Sequence, residues 1–167
     1  MNLSVKLSRT VGKMIPYIFQ YLINNVGLER LQIIKDLGVT FDISFSFADH
    51  IDKLVTSCSK ILGFVIRNCS NFNNEFALKS LYFSLIRSKM EYCSLVWFPI
   101  YQIHIYSLEK IQKKFLKILS FKCHRFYPPQ GYEYNLLLQE FSLLSLDCRR
   151  KISAVVFAVK LFDGTIN

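Results

Sequence analysis

Phosphoryl or nucleotidyl transfer by two metal ions needs carboxylates that converge on two cations. In this sequence the acids are scattered and no Asp-Asp pair occurs. Asp49 and Asp52 stand three apart where a helix is expected to begin. A helix N-terminus favours acids electrostatically, so the two read as capping residues. His50, His104 and His124 show no ligand spacing, and the Cys123-His124 pair has no second pair to complete a zinc site. Cys58 and Cys93 would need a neighbouring base to act as nucleophiles, and the sequence supplies none. Burial is the expectation for both. Neither G-x-G-x-x-G nor G-x-x-x-x-G-K-[ST] occurs, and only six glycines are available for loops that cradle phosphate. No catalytic residue, metal ligand or cofactor is expected of these residues.

The positive signal is basic and aromatic. No acid lies between Glu109 and Glu133, while Lys110, Lys113, Lys114, Lys117, Lys122 and Arg125 all do. In the same stretch Ile105, Leu108, Ile111, Gln112, Phe115, Ile118 and Leu119 recur at helical spacing, so one face can be buried. Lys110, Lys113, Lys114 and Lys117 fall mainly on the other faces. There they could pair with phosphates, with nearby aromatics stacking bases, or simply be solvated; both readings fit. Tyr101, Tyr106, Phe121, Phe126 and Tyr127 flank the basic helix, and packing is the reading preferred for Phe121 and Phe126.

The whole chain agrees with this lean. Its 167 residues allow one domain of ordinary size, or one and a part. Half of them are hydrophobic, which supplies a core and argues against disorder. The net charge of +9 favours an anionic partner, or serves solubility. Residues 41–100 are nearly balanced, with six Lys and Arg against five acids, so the excess lies toward the two ends. Five single cysteines, an odd count without CxxC, suggest a reducing, intracellular compartment, nuclear or cytoplasmic, and no disulfide framework. No apolar run is long enough to span a membrane, and no membrane partner is expected.

The elements that must position these residues emerge from the pattern. Residues 17–40 read as two strands around Asn24-Asn25-Val26-Gly27, the second being one extended run from Leu31 to Phe41. Residues 42–49 are a loop in which Ser46 or Asp49 can cap the next helix. Helices are expected over 47–68, over 74–97 until Pro99 closes the second, and from about Gln102 to Lys122. After the break at Tyr127-Pro128-Pro129 come a short helix over 133–144 and a last one over 146–162. The predicted fold is mainly α with a small N-terminal β-hairpin: a three-helix, thumb-like bundle plus two C-terminal helices. The expected division is 1–45, 46–126 and 127–167.

Several runs then carry a resemblance. I-K-D-L-G-V-T-F-D-I-S-F-S-F-A-D-H-I-D at 34–52, K-I-L-G-F-V-I-R-N at 60–68 and L-K-S-L-Y-F-S-L-I-R-S-K-M-E-Y-C-S-L-V-W at 78–97 occur in order. L-E-K-I-Q-K-K-F-L at 108–116, Y-P-P at 127–129 and L-L-S-L-D-C-R-R-K at 143–151 come after them. Together they resemble the segment after the catalytic palm in reverse transcriptases of non-LTR, LINE-like and jockey-type retrotransposons. The resemblance covers nearly the whole chain. The stretch 130–135 departs from the usual acidic-basic pattern, and the palm motif aromatic-Ala-Asp-Asp is absent; Phe47-Ala48-Asp49-His50 lacks its second Asp.

The resemblance implies a fragment of an RNA-directed DNA polymerase, without catalysis of its own, whose parent would use Mg2+. It implies that 47–122 is a thumb holding RNA or RNA–DNA duplex. Tyr21–Val39 would be a primer-grip-like hairpin, with Leu37, Gly38 and Val39 as its primer-grip-like residues. Lys110, Lys113, Lys114, Lys117, Lys122 and Arg125 are the expected contacts to nucleic acid. Another class of function stays open: a helical interaction module that binds the missing palm, another protein or a second copy of itself, or a gene-model fragment with no role.

Overall fold

The computed structural model describes residues 3–6 and 20–165. Two compact units divide the chain, residues 1–34 and 35–167. The first holds an antiparallel sheet of β1 (Leu3–Lys6), β2 (Gln20–Ile23) and β3 (Val26–Gly27), in that order. Leu3 pairs with Ile23 and Lys6 with Gln20. The expected turn falls at Asn24-Asn25, both with positive φ (51° and 64°). Two left-handed residues in a row make the turn whose twist matches the flanking strands, and asparagine tolerates that conformation well. β1 was not among the expected strands. The part of the first expected strand before Gln20 lies outside the described residues.

The long run from Leu31 to Phe41 is two strands, not one. β4 (Ile33–Asp36) and β5 (Val39–Asp42) pair as a second hairpin. Leu37 (φ 44°) and Gly38 (φ 85°) reverse the chain between them. Glycine meets the second of these positions without the Cβ clash other residues suffer. The Tyr92 hydroxyl donates to the Leu37 carbonyl at 3.1 Å and holds the other. β5 then leads to a loop gathered by one carboxylate. Asp42 accepts from the Ser44 hydroxyl, from the Ser46 backbone and hydroxyl, and from Phe47 N–H. These hydrogen bonds, that of the Ser44 side chain first, hold its carboxyl far below the usual range. Ser46 in turn accepts from Ala48 N–H at 3.3 Å, but the N-cap itself is neither Ser46 nor Asp49: it is Phe47, left-handed (φ 56°) and without a side-chain cap.

Helix α1 (Ala48–Asn68) buries Ile51, Cys58, Leu62 and Val65, with Leu54, Val55 and Ile61 partly covered, a stripe at the helical period. The second predicted helix is shorter and less regular than its pattern suggests. It consists of α2 (Glu75–Tyr82), a π-helical turn (Phe83–Arg87) and α3 (Ser88–Glu91). Its buried residues are Leu78, Tyr82, Ile86 and Met90, spaced by four. In a regular helix each step of four drifts about 40° around the axis. The wider π turn absorbs that drift and keeps the four side chains on the core.

The helix ends at Glu91, not Trp97. Tyr92 is extended (ψ 125°) and Cys93 left-handed (φ 51°). This reversal brings Trp97 wholly inside, where its Nε1 donates to the Tyr92 carbonyl at 2.8 Å and its ring lies 5.4 Å from that of His50. Tyr92 and Val96 are exposed as a result.

Helix α4 (Gln102–His124) crosses the unit and packs on α1, α2 and the two helices after it. Its buried Phe115 stacks on Tyr82, centroids 4.1 Å apart and rings 7° from parallel. Such a pair adds about 0.5–1.5 kcal/mol beyond area burial. Helix α5 (Tyr134–Glu140) buries Leu137 and Leu138. Helix α6 (Leu146–Phe162) starts at Ser145, whose side chain accepts from Cys148 N–H at 3.1 Å. The fold is therefore mainly helical with small N-terminal strands, as predicted, though the strands form two hairpins rather than one.

Candidate nucleic-acid interface

The face of α4 away from the core carries Ile103, Tyr106, Lys110, Lys114 and Phe121, all exposed. At 1.5 Å per residue this row is about 27 Å long. Lys110 and Lys114 take part in no hydrogen bond, ion pair or ring contact with the described residues. They are the cations on this helix most available to a ligand. Lys113 lies half-buried with its ammonium 5.9 Å from the Tyr134 ring centroid. Arg125 is exposed at the helix C-terminus, in left-handed conformation (φ 56°). An extended anion could meet Lys110, Lys114 and the ends of this row without displacing any existing contact.

Two of the six expected contacts are committed to the fold. Lys117 donates to the carbonyls of Pro128 (3.1 Å) and Pro129 (2.9 Å), pinning the loop after the helix. Lys122 is buried, and its ammonium donates to the carbonyls of Cys69, Ser70 (2.9 Å) and Phe72 (3.1 Å). Cys69 is the residue after α1, so Lys122 satisfies the carbonyl-rich end of that helix and the connection beyond it. This corrects the expectation for Lys122: standing seven residues after Phe115 and fourteen after Leu108, it falls within the buried stripe, where carbonyls fifty residues away accept from its ammonium.

Of the aromatics, Tyr101 and Tyr106 are exposed, while Phe121 and Phe126 pack edge to face with the loop rings Tyr127 and Tyr132. Of the three residues expected to be primer-grip-like, Leu37 is exposed, Gly38 occupies the β4–β5 turn and Val39 is buried in the core. The structure does not bring Val39 to a surface where it could touch a ligand.

A buried polar network fixes the pose of α4 and was not anticipated. Tyr82 donates to Gln112 Oε1, and Gln112 Nε2 donates to the Tyr134 hydroxyl and the Leu144 carbonyl, each at 2.9 Å. Tyr134 donates to Glu109 at 2.6 Å, and the other Glu109 oxygen accepts from Asp147 N–H at 2.7 Å. Burial, aided by the Glu109 carboxylate, raises the Tyr134 pKa, and burial raises that of Tyr82. The available signal was a glutamine within an apolar stripe, which needs partners if it is to be inside. Glu91 also accepts from Nε and Nη2 of the Arg149 guanidinium, tying α6 to α3. Among the described residues no group of three His, Cys, Asp or Glu side chains is placed to hold a metal ion, and no helix is long and apolar enough to cross a membrane. The five cysteines are free thiols.

In comparisons with protein-family models, with curated proteins and with solved structures, the chain matches none.

Proposed function

We propose that this chain is the post-palm, thumb-like part of an RNA-directed DNA polymerase of the non-LTR retrotransposon type, and that it binds RNA or RNA–DNA duplex along the exposed face of α4. The observation that carries the reading is the pair of unpartnered ammonium groups, Lys110 and Lys114, on a rigid helix between Tyr106 and Phe121. A helix bearing cations but no base-reading loop suits recognition of a duplex by shape and backbone. The succession of runs that resemble the family, from Ile34 to Lys151, supports the same reading. Catalytic aspartates and their Mg2+ would belong to a palm whose motif this sequence lacks, so the chain alone joins no nucleotides.

The salt dependence of binding tests this. Affinity for a non-specific RNA–DNA duplex is expected to fall steeply with salt. Lys110→Ala and Lys114→Ala should each lower the slope of log K against log salt by about 1. Binding indifferent to salt, or a slope unchanged in the double variant, overturns the proposal.

A helical protein-interaction module is a second reading, favoured by α6. Val155, Val159, Leu161 and Phe162 are all more than half exposed there. Self-association on size exclusion that is insensitive to nucleic acid would support this second reading over the first.

A further inference from the structure

A cavity of about 490 Å³ opens where the β4–β5 hairpin meets α1 and the residues around Glu91. Lys35 enters its wall from β4, Lys53 and Ser57 from α1, Lys89 from α3, and Tyr92 from just after α3. No Asp or Glu lines it. None of the three lysines has an ion pair or hydrogen bond with the described residues, and all three are exposed. The volume lies in the range that accommodates small organic ligands rather than single ions.

Three cations around one hollow, with no carboxylate between them, repel one another until an anion enters. Flexible lysine ammoniums suit the tetrahedral, many-oxygened phosphate group better than a planar carboxylate, which arginine matches bidentately. Beside them stands an aromatic ring already held in place, since the Tyr92 hydroxyl is tied to the Leu37 carbonyl while 56% of the residue remains exposed. An anchored, half-open ring is a face on which a base can stack at little entropic cost. His50, also in the wall, accepts Thr40 N–H on Nδ1 at 3.3 Å, so the neutral ring carries its proton on Nε2 as a further donor.

We propose that this cavity binds a nucleotide, with Lys35, Lys53 and Lys89 about its phosphate and Tyr92 against its base. The nucleotide is either free or a unit of a single strand, the phosphate and base being common to both. The site shares no residue with the exposed face of α4 and does not rest on the duplex-binding reading.

Calorimetric titration of the full chain with ADP, with inorganic pyrophosphate and with a five-nucleotide RNA is the test. Binding of ADP points to the free nucleotide, binding of the RNA alone to a strand, and either supports the site. Lys53→Gln with Lys89→Gln, mild exchanges at exposed positions, should weaken that binding about tenfold or more. Lys110→Ala with Lys114→Ala should leave binding of the preferred probe unchanged, which separates this site from the α4 face. Tyr92→Leu should weaken the preferred base-bearing probe while sparing any binding of pyrophosphate. Circular dichroism of each variant establishes that the fold is retained. Failure of ADP and RNA alike, or binding that survives the double Lys→Gln exchange in a folded protein, overturns the proposal.

Discussion

Lys122 sits beneath the end of α1 with three carbonyl oxygens around its ammonium. A buried cation is tolerated only when such acceptors replace its water. Its role is therefore opposite to that of Lys114, eight residues earlier, whose ammonium has none. The pair separates support of the fold from binding by residue. Lys122→Met keeps the aliphatic stem and removes the donor, so carbonyls in that connection lose their partner. We expect a loss of about 1–3 kcal/mol in urea unfolding, with the salt slope of duplex binding unaltered. A slope lowered as much as by Lys114→Ala would return Lys122 to the binding face. The lysines were legible in the sequence as charges, and so was the spacing that sets Lys110, Lys113, Lys114 and Lys117 apart from the apolar stripe while placing Lys122, seven residues after Phe115, within it. What α1 does with its last carbonyls was not, because the partners are joined only when α1 and α4 pack.

At the scale of elements, pattern reading succeeded where local chemistry and tertiary demand agree. The bounds of α6 are set by Ser145 and Asp147 at its start, and the α1 stripe repeats at the helical period. It failed at Tyr92, where nothing local ends the helix and the burial of Trp97 does. It failed again at Leu37, since a leucine in left-handed conformation is a poor turn signal without the Tyr92 hydroxyl that holds it. The cavity lysines, Lys35, Lys53 and Lys89, are not legible as a group for the same reason: three separate elements bring them together.

The π turn carries a sharper consequence. If it exists to keep Tyr82, Ile86 and Met90 facing inward, deletion of exposed Leu85 should turn it into ordinary α-helix with the later residues still in register. Deletion of exposed Ser80, within regular helix, should instead rotate the remainder of the helix by about 100° and lift those three side chains from the core. Urea midpoints of the two deletions measure this. We expect the Ser80 deletion to cost several kcal/mol more, at about 1.5–3 kcal/mol per large side chain exposed. Equal costs would deny the turn that role.

Over the whole molecule, the Tyr82–Gln112–Tyr134–Glu109 chain joins α2, α4, α5 and the start of α6. Both tyrosines have raised pKa values in the folded state. Their contribution is thus fully present below the unfolded value near pH 10 and is lost as pH rises beyond it. Denaturation midpoints should fall above about pH 10, and less steeply in Tyr82→Phe with Tyr134→Phe; parallel profiles would place the loss elsewhere. Net charge acts on the same scale. At +9 the folded chain repels itself, and ions relieve that repulsion within a Debye length of about 10 Å at 0.1 M. The same ions compete for Lys110 and Lys114 and weaken any duplex held there. Salt should therefore move stability and binding in opposite directions. Between about 20 and 300 mM NaCl the thermal midpoint is expected to rise by a few degrees while duplex affinity falls. The opposing term is the set of ion pairs, with Glu91 and Arg149 or Asp147 and Lys151 as its members. Solvent-accessible pairs at the surface contribute about 0–1 kcal/mol each, these two being partly covered, and there are almost two basic residues for every acid. A midpoint that falls with salt would mean that the pairs outweigh the excess charge, and that the basic surface is already neutralised within the fold rather than open to a polyanion.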